Sequence, residues 1–475
     1  MLRTKRSNHS VKFFHKTFDP FTGRPFALYP LSDQKKILKT IYRANINLRD
    51  EFYQSTEYRF KLLYKIRKQF FLHRKEFIQI LCKESGKPIR YAESEFRYSL
   101  DLFRLAAEEL SQRENYHLKD RFFEEKNFLS TERTIAPGNL VLALLSYQFP
   151  LSSLVKCLVS TIVSGSSLIV KPSYKAPGIS FLMRKIVLET LNSPSFQKHH
   201  SADFFKILLP LKIELPYLMN HPAIHKIFFS GKPSTLNKIK KNYPERLYLV
   251  DETSSSIAIL DHFINIQKAA EIVSEGITAF SGQSKYPIKR VYVHEDIYSD
   301  FKSILVEILQ SYNPGTPFDQ DTIQGPLLSR SMRDNYLTYL TISKRKGMEI
   351  LCGDRFSGNY LYPSILENNQ SIETDDFTPP MGPIAILEPF TSFEDLVRRK
   401  IRNRTSVSLF SENIRTIKTV HDLMKEGNLL VNKIPTFLHE PPSSNRRVYL
   451  SGLIHSFYGE KTLLLKKEIY TSSQY

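Results

Sequence analysis

The sequence predicts an α/β protein whose sheets are parallel and whose chain is divided among more than one domain. Short apolar runs at 140–145, 167–170, 227–229, 257–260 and 290–293 alternate with stretches of helical character. That alternation suits a parallel sheet, in which each strand is followed by a crossover that returns the chain to the same edge. At 475 residues the chain is longer than one simple core holds, so two or three domains are expected. A content of 41% hydrophobic, 24% charged and 12% aromatic residues is that of a globular protein and excludes a disordered or fibrous one.

The elements follow in order. The opening Met1-Leu-Arg-Thr-Lys-Arg6 is basic but is followed by no apolar core, so a secretory signal is not expected; the lack of acidic residues before Asp19 leaves organelle targeting as the alternative. Between 35 and 110 the periodicity is helical, with Leu63, Ile66 and Phe70 and then Phe77 and Leu81 forming one apolar stripe. Residues 113–132 are polar and read as an excursion from the main body. The most apolar stretch, 140–170, is interrupted by Pro150 and Lys156 and followed within its last third by Gly165. It reads as strand, loop, helix and second buried strand, and no membrane span is expected.

Cys82, Cys157 and Cys352 are far apart and odd in number, which argues against a disulfide framework or a Cys-based zinc site and for a reducing, cytoplasmic setting. No metal site is expected. The net charge of +19 raises an anionic polymer as a partner. The basic residues are scattered, however, from Lys35, Arg43 and Arg67 to Lys238, Lys240 and Arg399, and no nucleic-acid motif accompanies them. No specific nucleic-acid partner is expected.

A collinear series of landmarks resembles the aldehyde dehydrogenase superfamily. Asp19-Pro-Phe-Thr-Gly23 is similar to the family's N-P-x-T-G, Glu84-Ser-Gly-Lys-Pro88 to E-x-G-K-P, Ser146-Tyr-Gln-Phe-Pro150 to P-W-N-F-P, and Lys171-Pro-Ser173 to K-P-S. Phe229-Ser-Gly231 resembles F-T-G, Gly282-Gln283 resembles G-Q-x-C, Met381-Gly-Pro383 resembles F-G-P, and Ser406-Val-Ser-Leu-Phe410 resembles the late S-x-x-x-F strand. Each motif alone is weak, and their order is the specific signal. The resemblance covers about 19–470. It implies two Rossmann-related α/β domains, a cofactor-type one at 19–247 and a nucleophile-type one at 248–430. It also implies a bridging sheet from 113–134 with 446–470, through which copies of the chain would assemble as a dimer or tetramer.

The resemblance further implies oxidation of an aldehyde by a cysteine thiolate, hydride transfer to NAD or NADP, and hydrolysis of the thioester. Carried onto this sequence, the cysteine position falls on Lys285. A lysine adduct that gave up hydride would end as an amide, and a Schiff base would have no productive hydride to give. The general-base glutamate falls on Val250, which accepts no proton; a loop shifted by one or two residues would offer Asp251 or Glu252 instead. The oxyanion asparagine becomes Gln148, whose amide lies one methylene further out.

The implied cofactor site is half retained. Lys171 and Ser173 stand at adenine-ribose positions, and Ser230-Gly231 at the turn before a helix that faces a pyrophosphate. Leu236 replaces an expected glycine, and Pro379 and Met381 replace the residues that hold the nicotinamide end. The turn usual in the family near the C-terminus is missing from 435–445, and glycine, 17 in all, is about half its usual frequency. The expectation is a catalytically inactive homologue with residual NAD(P) binding. The alternatives are an active NAD(P)-dependent dehydrogenase with displaced catalytic residues, and a basic scaffold that binds an anionic partner.

Overall fold

The computed structural model describes residues 3–5, 12–50, 53, 55–113, 120–122, 128–136, 138–194, 196, 202–252, 254–262, 264–369, 378–396, 406–424, 428–435, 450, 453–454, 456–457 and 459–466. Most of the altered 435–445 turn therefore lies outside the described residues.

Among the described residues, twenty strands form the sheets. β1 (Arg3–Lys5), β2 (Lys12–Phe18) and β3 (Pro25–Pro30) make an antiparallel three-stranded sheet that the sequence reading did not anticipate. Helices Gln34–Asn47, Thr56–Leu72, Arg74–Ser85 and Ile89–Arg113 follow, dividing the expected helical stretch at caps. Asp33 accepts from the amide of Lys36, Ser55 from that of Tyr58, and Gly86 ends the third helix at φ 68°.

Next come β4 (Asp120–Phe122), β5 (Phe128–Ala136), β6 (Leu140–Leu144), β7 (Ser167–Lys171), β8 (Phe205–Ile207), β9 (Lys226–Gly231) and β10 (Leu247–Glu252). The last five form a wholly parallel sheet in the order β10-β9-β6-β7-β8. The chain runs outward from β6 on one side and returns to build β9 and β10 on the other. The gap between the carboxyl ends of β6 and β9 is thus a topological switch point, the usual ligand crevice of such sheets. The expected division at 247/248 cuts through this sheet: β10 pairs with β9 over six residues, from Leu247 opposite Lys226 to Glu252 opposite Gly231, so the first sheet continues to Glu252.

The apolar 140–170 stretch resolves as β6, the helix Pro150–Ser164 and β7. Every residue of that helix is buried, Lys156 included. Proline at its start lacks an amide that would have no partner there, and Gly165 leaves it at φ 67°. The helix lies within the largest apolar cluster, between the N-terminal helices and the first sheet.

The second sheet uses β11 (Ser256–Leu260), β12 (Ile288–His294), β13 (Glu349–Cys352), β16 (Ser364–Glu367), β17 (Ile384–Phe390), β18 (Ser406–Phe410) and β19 (Asn428–Val431), in the order β13-β16-β17-β12-β11-β18-β19. Only the edge strand β13 is antiparallel. β14 (Phe356–Ser357) and β15 (Tyr360–Leu361) form a small ribbon. β20 (Gly459–Lys466) returns to pair antiparallel with β5, which also pairs with β4.

Candidate functional site

The site is assembled where the carboxyl ends of β6, β9 and β10 meet the loop that enters β12. That loop is tightly constrained. Phe280, Ser281 and Gly282 are all left-handed, at φ 51°, 55° and 63°, a conformation that costs about 1–3 kcal/mol for each non-glycine residue and persists only when its surroundings hold it. Here the Ser281 hydroxyl donates to the carbonyl of Gly325 at 2.7 Å, and the Gln283 side chain accepts from the amide of Leu328 at 3.2 Å. At Gly282 a Cβ would lie 1.9 Å from the carbonyl oxygen of Gly382. Only glycine lets the 280–283 loop lie against the 381–383 turn.

Lys285, two residues past this turn, is 5% exposed, and its ammonium donates to Oδ1 of Asp251, itself 4% exposed. Lys156 approaches the other carboxylate oxygen to 3.9 Å from the neighbouring helix. The buried cluster thus holds one carboxylate between two cations. Val250 stands at 39% exposure, since successive side chains of a strand point to opposite faces. The residue of β10 that meets Lys285 is Asp251. Glu252 ends the strand.

Gln148 is 2% exposed. Its side-chain nitrogen donates to the carbonyls of Gln283 and Ser284 at 3.1 and 3.3 Å and touches the sulfur of Met381 at 3.6 Å. Its own carbonyl accepts from Lys87 at 2.8 Å. Lys87 is wholly buried, pairs with Glu95, and lies 4.2 and 4.7 Å from the ring centres of Phe149 and Phe280. Glu95 in turn accepts from the amides of Leu151 and Ser152 at 2.9 and 3.0 Å, capping the buried helix. Burial lowers the Lys87 pKa and the Glu95 carboxylate opposes that shift. Lys289, also buried, donates to Gly382 at 2.6 Å. Desolvation brings its pKa down to about 7.

All three thiols are shifted away from reactivity. Burial pushes Cys82 up to about 12 and Cys352 up to about 11, and raises Cys157, beside Lys156, well above the ordinary thiol value. A thiol needs the opposite shift to attack near neutral pH.

Lys171 is the last residue of β7, its ammonium 4.3 Å from the centre of the Tyr174 ring. Desolvation lowers its pKa to about 8. Ser173 accepts from the amide of Lys175 at 3.2 Å. Ser230 shares a hydrogen bond with Ser153 at 3.3 Å, and Gly231 packs against the ring of Phe229, which a Cβ would meet at 2.9 Å. The helix beyond β9 begins at Pro233, which removes one of its free amide donors, and Leu236 is buried within the first sheet's second core. Gln148 is engaged, Pro379 is buried and Met381 is half-buried. Lys171 and Ser173 stand at the carboxyl end of β7, and Ser230 and Gly231 at that of β9.

Sequence reasoning did not foresee the Asp251 partnership of Lys285, the place of Lys156 beside it, or the Lys87–Glu95 pair. The one signal was the E-x-G-K-P likeness itself, which put an acid and a base at a helix end without saying that both are buried.

A family model described as the aldehyde dehydrogenase family matches residues 6–471. A sulfoacetaldehyde dehydrogenase from Neptuniibacter caesariensis is 23% identical over 372 residues, 78% of this chain and 79% of that protein. A lactaldehyde dehydrogenase from Methanococcus aeolicus is 24% identical over 80% of each chain. Among solved structures, aldehyde dehydrogenase 21 from Physcomitrella patens, in complex with succinate, superposes with a TM-score of 0.85 at 19% identity over 98% of this chain and 97% of that one. With the family model spanning nearly every residue and the same fold found at that level of superposition, this chain belongs to the aldehyde dehydrogenase family.

Proposed function

We propose that this chain has kept the family's framework but not its oxidation chemistry, and that it acts as a binding or scaffold protein assembled with copies of itself. The observation that carries the reading is the buried ion pair at the position of the nucleophile: an ammonium donating to Asp251 has no lone pair with which to attack a carbonyl. In this reading Lys285, Val250 and Gln148 occupy the nucleophile, general-base and oxyanion positions and supply none of those functions. Asp251, the acid nearest to them, is committed to Lys285, and the Gln148 amide to backbone carbonyls.

NAD or NADP binding, where it persists, rests on Lys171, Ser173, Ser230 and Gly231, with the adenylate half as the part recognised. A homologous glyceraldehyde-3-phosphate dehydrogenase from Methanocaldococcus jannaschii was solved with NADP and superposes with a TM-score of 0.83 at 19% identity, covering 95% of this chain and 99% of that one. Assembly into a dimer or tetramer would use the β4-β5-β20 sheet, and three buried free cysteines suit a reducing, cytoplasmic compartment. Among the described residues no helix is long and apolar enough to cross a membrane.

The test is spectrophotometric: the purified protein with a panel of aldehydes and either NAD or NADP is expected to form no reduced cofactor. Aldehyde-dependent formation of NADH or NADPH that disappears in Lys285→Ala would overturn the proposal. Calorimetric titration with NAD, NADP and 5′-ADP separates a retained adenylate site, where the three would bind alike, from a remnant that binds none.

A further inference from the structure

At the opposite end of β12 from Lys285 two imidazoles meet. His262 follows β11 and His294 closes β12, and their ring centres are 4.7 Å apart. Asp296, in the first turn of the helix Glu295–Ser311, brings a carboxylate oxygen to 3.3 Å from Nδ1 of His294. One ligand atom from each of His262, His294 and Asp296 lies within 4.8 Å of the others. The imidazoles are recessed, with 30% and 13% of their side chains exposed, while Asp296 stands at the mouth with 63%.

We propose that His262, His294 and Asp296 form a binding site for a divalent transition-metal ion, zinc above all. Two imidazoles and one carboxylate are a donor set this ion takes readily, and three protein ligands leave a fourth position open to water or an anion. Tetrahedral coordination needs donors about 3.4 Å apart, so small side-chain rotations, easiest for Asp296, complete the shell.

The second observation is what stands behind the first ligand. Asp261 is fully buried, with one oxygen 2.8 Å from Nδ1 of His262 and the other accepting from the Ser411 hydroxyl at 2.6 Å. The near oxygen also accepts from the His262 amide at 2.8 Å, so a buried carboxylate is held beside this imidazole, the kind of neighbour that supports metal-binding histidines. Phe390 and Phe393 flank His294 and shield that side from water. The place also suits a ligand. In this sheet the chain proceeds from β11 to β12 on one side and returns to β18 on the other, so the site lies at the carboxyl ends beside the switch point. A bound ion would clamp the turn after β11 to the start of the Glu295–Ser311 helix.

The experiment uses the full chain without an affinity tag, freed of metal by chelation and titrated with Co²⁺, whose visible d–d bands report coordination number. Expected are one-to-one binding, intense bands of four- or five-coordination, and displacement by one equivalent of Zn²⁺. Asp296→Asn and His262→Gln should each weaken Co²⁺ binding by roughly tenfold or more, while His421→Gln, at an exposed histidine, leaves it unchanged. Asp296 is exposed enough that its variant should fold normally. Binding below one equivalent, the weak spectrum of six-coordinate hydrated cobalt, or affinity unmoved in both site variants would overturn the proposal.

Discussion

Removing the Lys285 side chain should destabilise the protein, and the geometry says by how much. Lys285 and Asp251 are 5% and 4% exposed, and breaking a buried pair costs about 3–5 kcal/mol because the remaining charge is left in a low-dielectric interior. In Lys285→Leu, Lys156 still lies 3.9 Å from the Asp251 carboxylate, so the loss belongs at the low end, about 3 kcal/mol. Asp251→Leu should do more harm, because it leaves two buried ammonium groups facing each other. Once Asp251 is gone, adding Lys285→Leu should cost little or restore stability, giving a coupling energy of about 2–3 kcal/mol. Equilibrium urea unfolding followed by circular dichroism reads this as a midpoint lower by about 1 M or less for the first variant at unchanged slope. Added salt should barely alter the difference, since screening does not reach a buried pair. Strict additivity, or a Lys285→Leu protein as stable as the parent, would refute the view that the pair is the site's main internal contact.

Glu84 provides a pH prediction. Burial raises its pKa from 4.5 to about 7 against the hydrogen bonds from Tyr29, Gly178 and Thr17, so the folded state holds a proton that the unfolded state has released. Its stabilising effect is complete below pH 4.5 and lost as pH rises through 7; relative to Glu84→Gln, the parent should lose up to roughly 3 kcal/mol between pH 4.5 and 7.5 in urea titrations. Lys87→Met strands the Glu95 carboxylate and the Gln148 carbonyl together, and a loss of about 3–5 kcal/mol is expected in the same assay. Lys285→Cys should yield no aldehyde-dependent NADH, because catalytic groups that act as a unit recover little when one is returned; a steady turnover in that variant would show that the rest of the machinery is intact.

The fold was legible because its signals are local and repeated. The runs at 227–229, 257–260 and 290–293 lie inside β9, β11 and β12, and Pro150 and Gly165 mark the two ends of the buried helix. The N-terminal sheet was not, since β2 reads Lys-Phe-Phe-His-Lys-Thr-Phe, too mixed a pattern to declare a strand without its partners. The site divided in the same way. Positions carried by motif order, such as Lys171 at the end of β7, could be located in advance. Asp251 as the partner of Lys285, 34 residues away, could not, because which face of β10 turns inward depends on its pairing with β9. Ion pairs across separate elements leave no periodic trace.

A working active site keeps polar groups unsatisfied until the substrate supplies their partners, and this is one reason that activity is bought with stability. Around Lys285 most of the donors are already engaged within the chain. The ammonium has Asp251, the Gln148 amide has two backbone carbonyls, Lys87 has Glu95 and the Gln148 carbonyl, and Lys289 has the carbonyl of Gly382. The bonds of Lys285 and of the Gln148 side chain join the first sheet's crevice to the loop that enters β12, and Lys289 ties β12 to the turn at 382. A pocket satisfied in this way has little to offer a developing oxyanion and much to offer the packing of one sheet against the other. On the proposed reading, substitutions here should therefore act on unfolding transitions before they act on turnover.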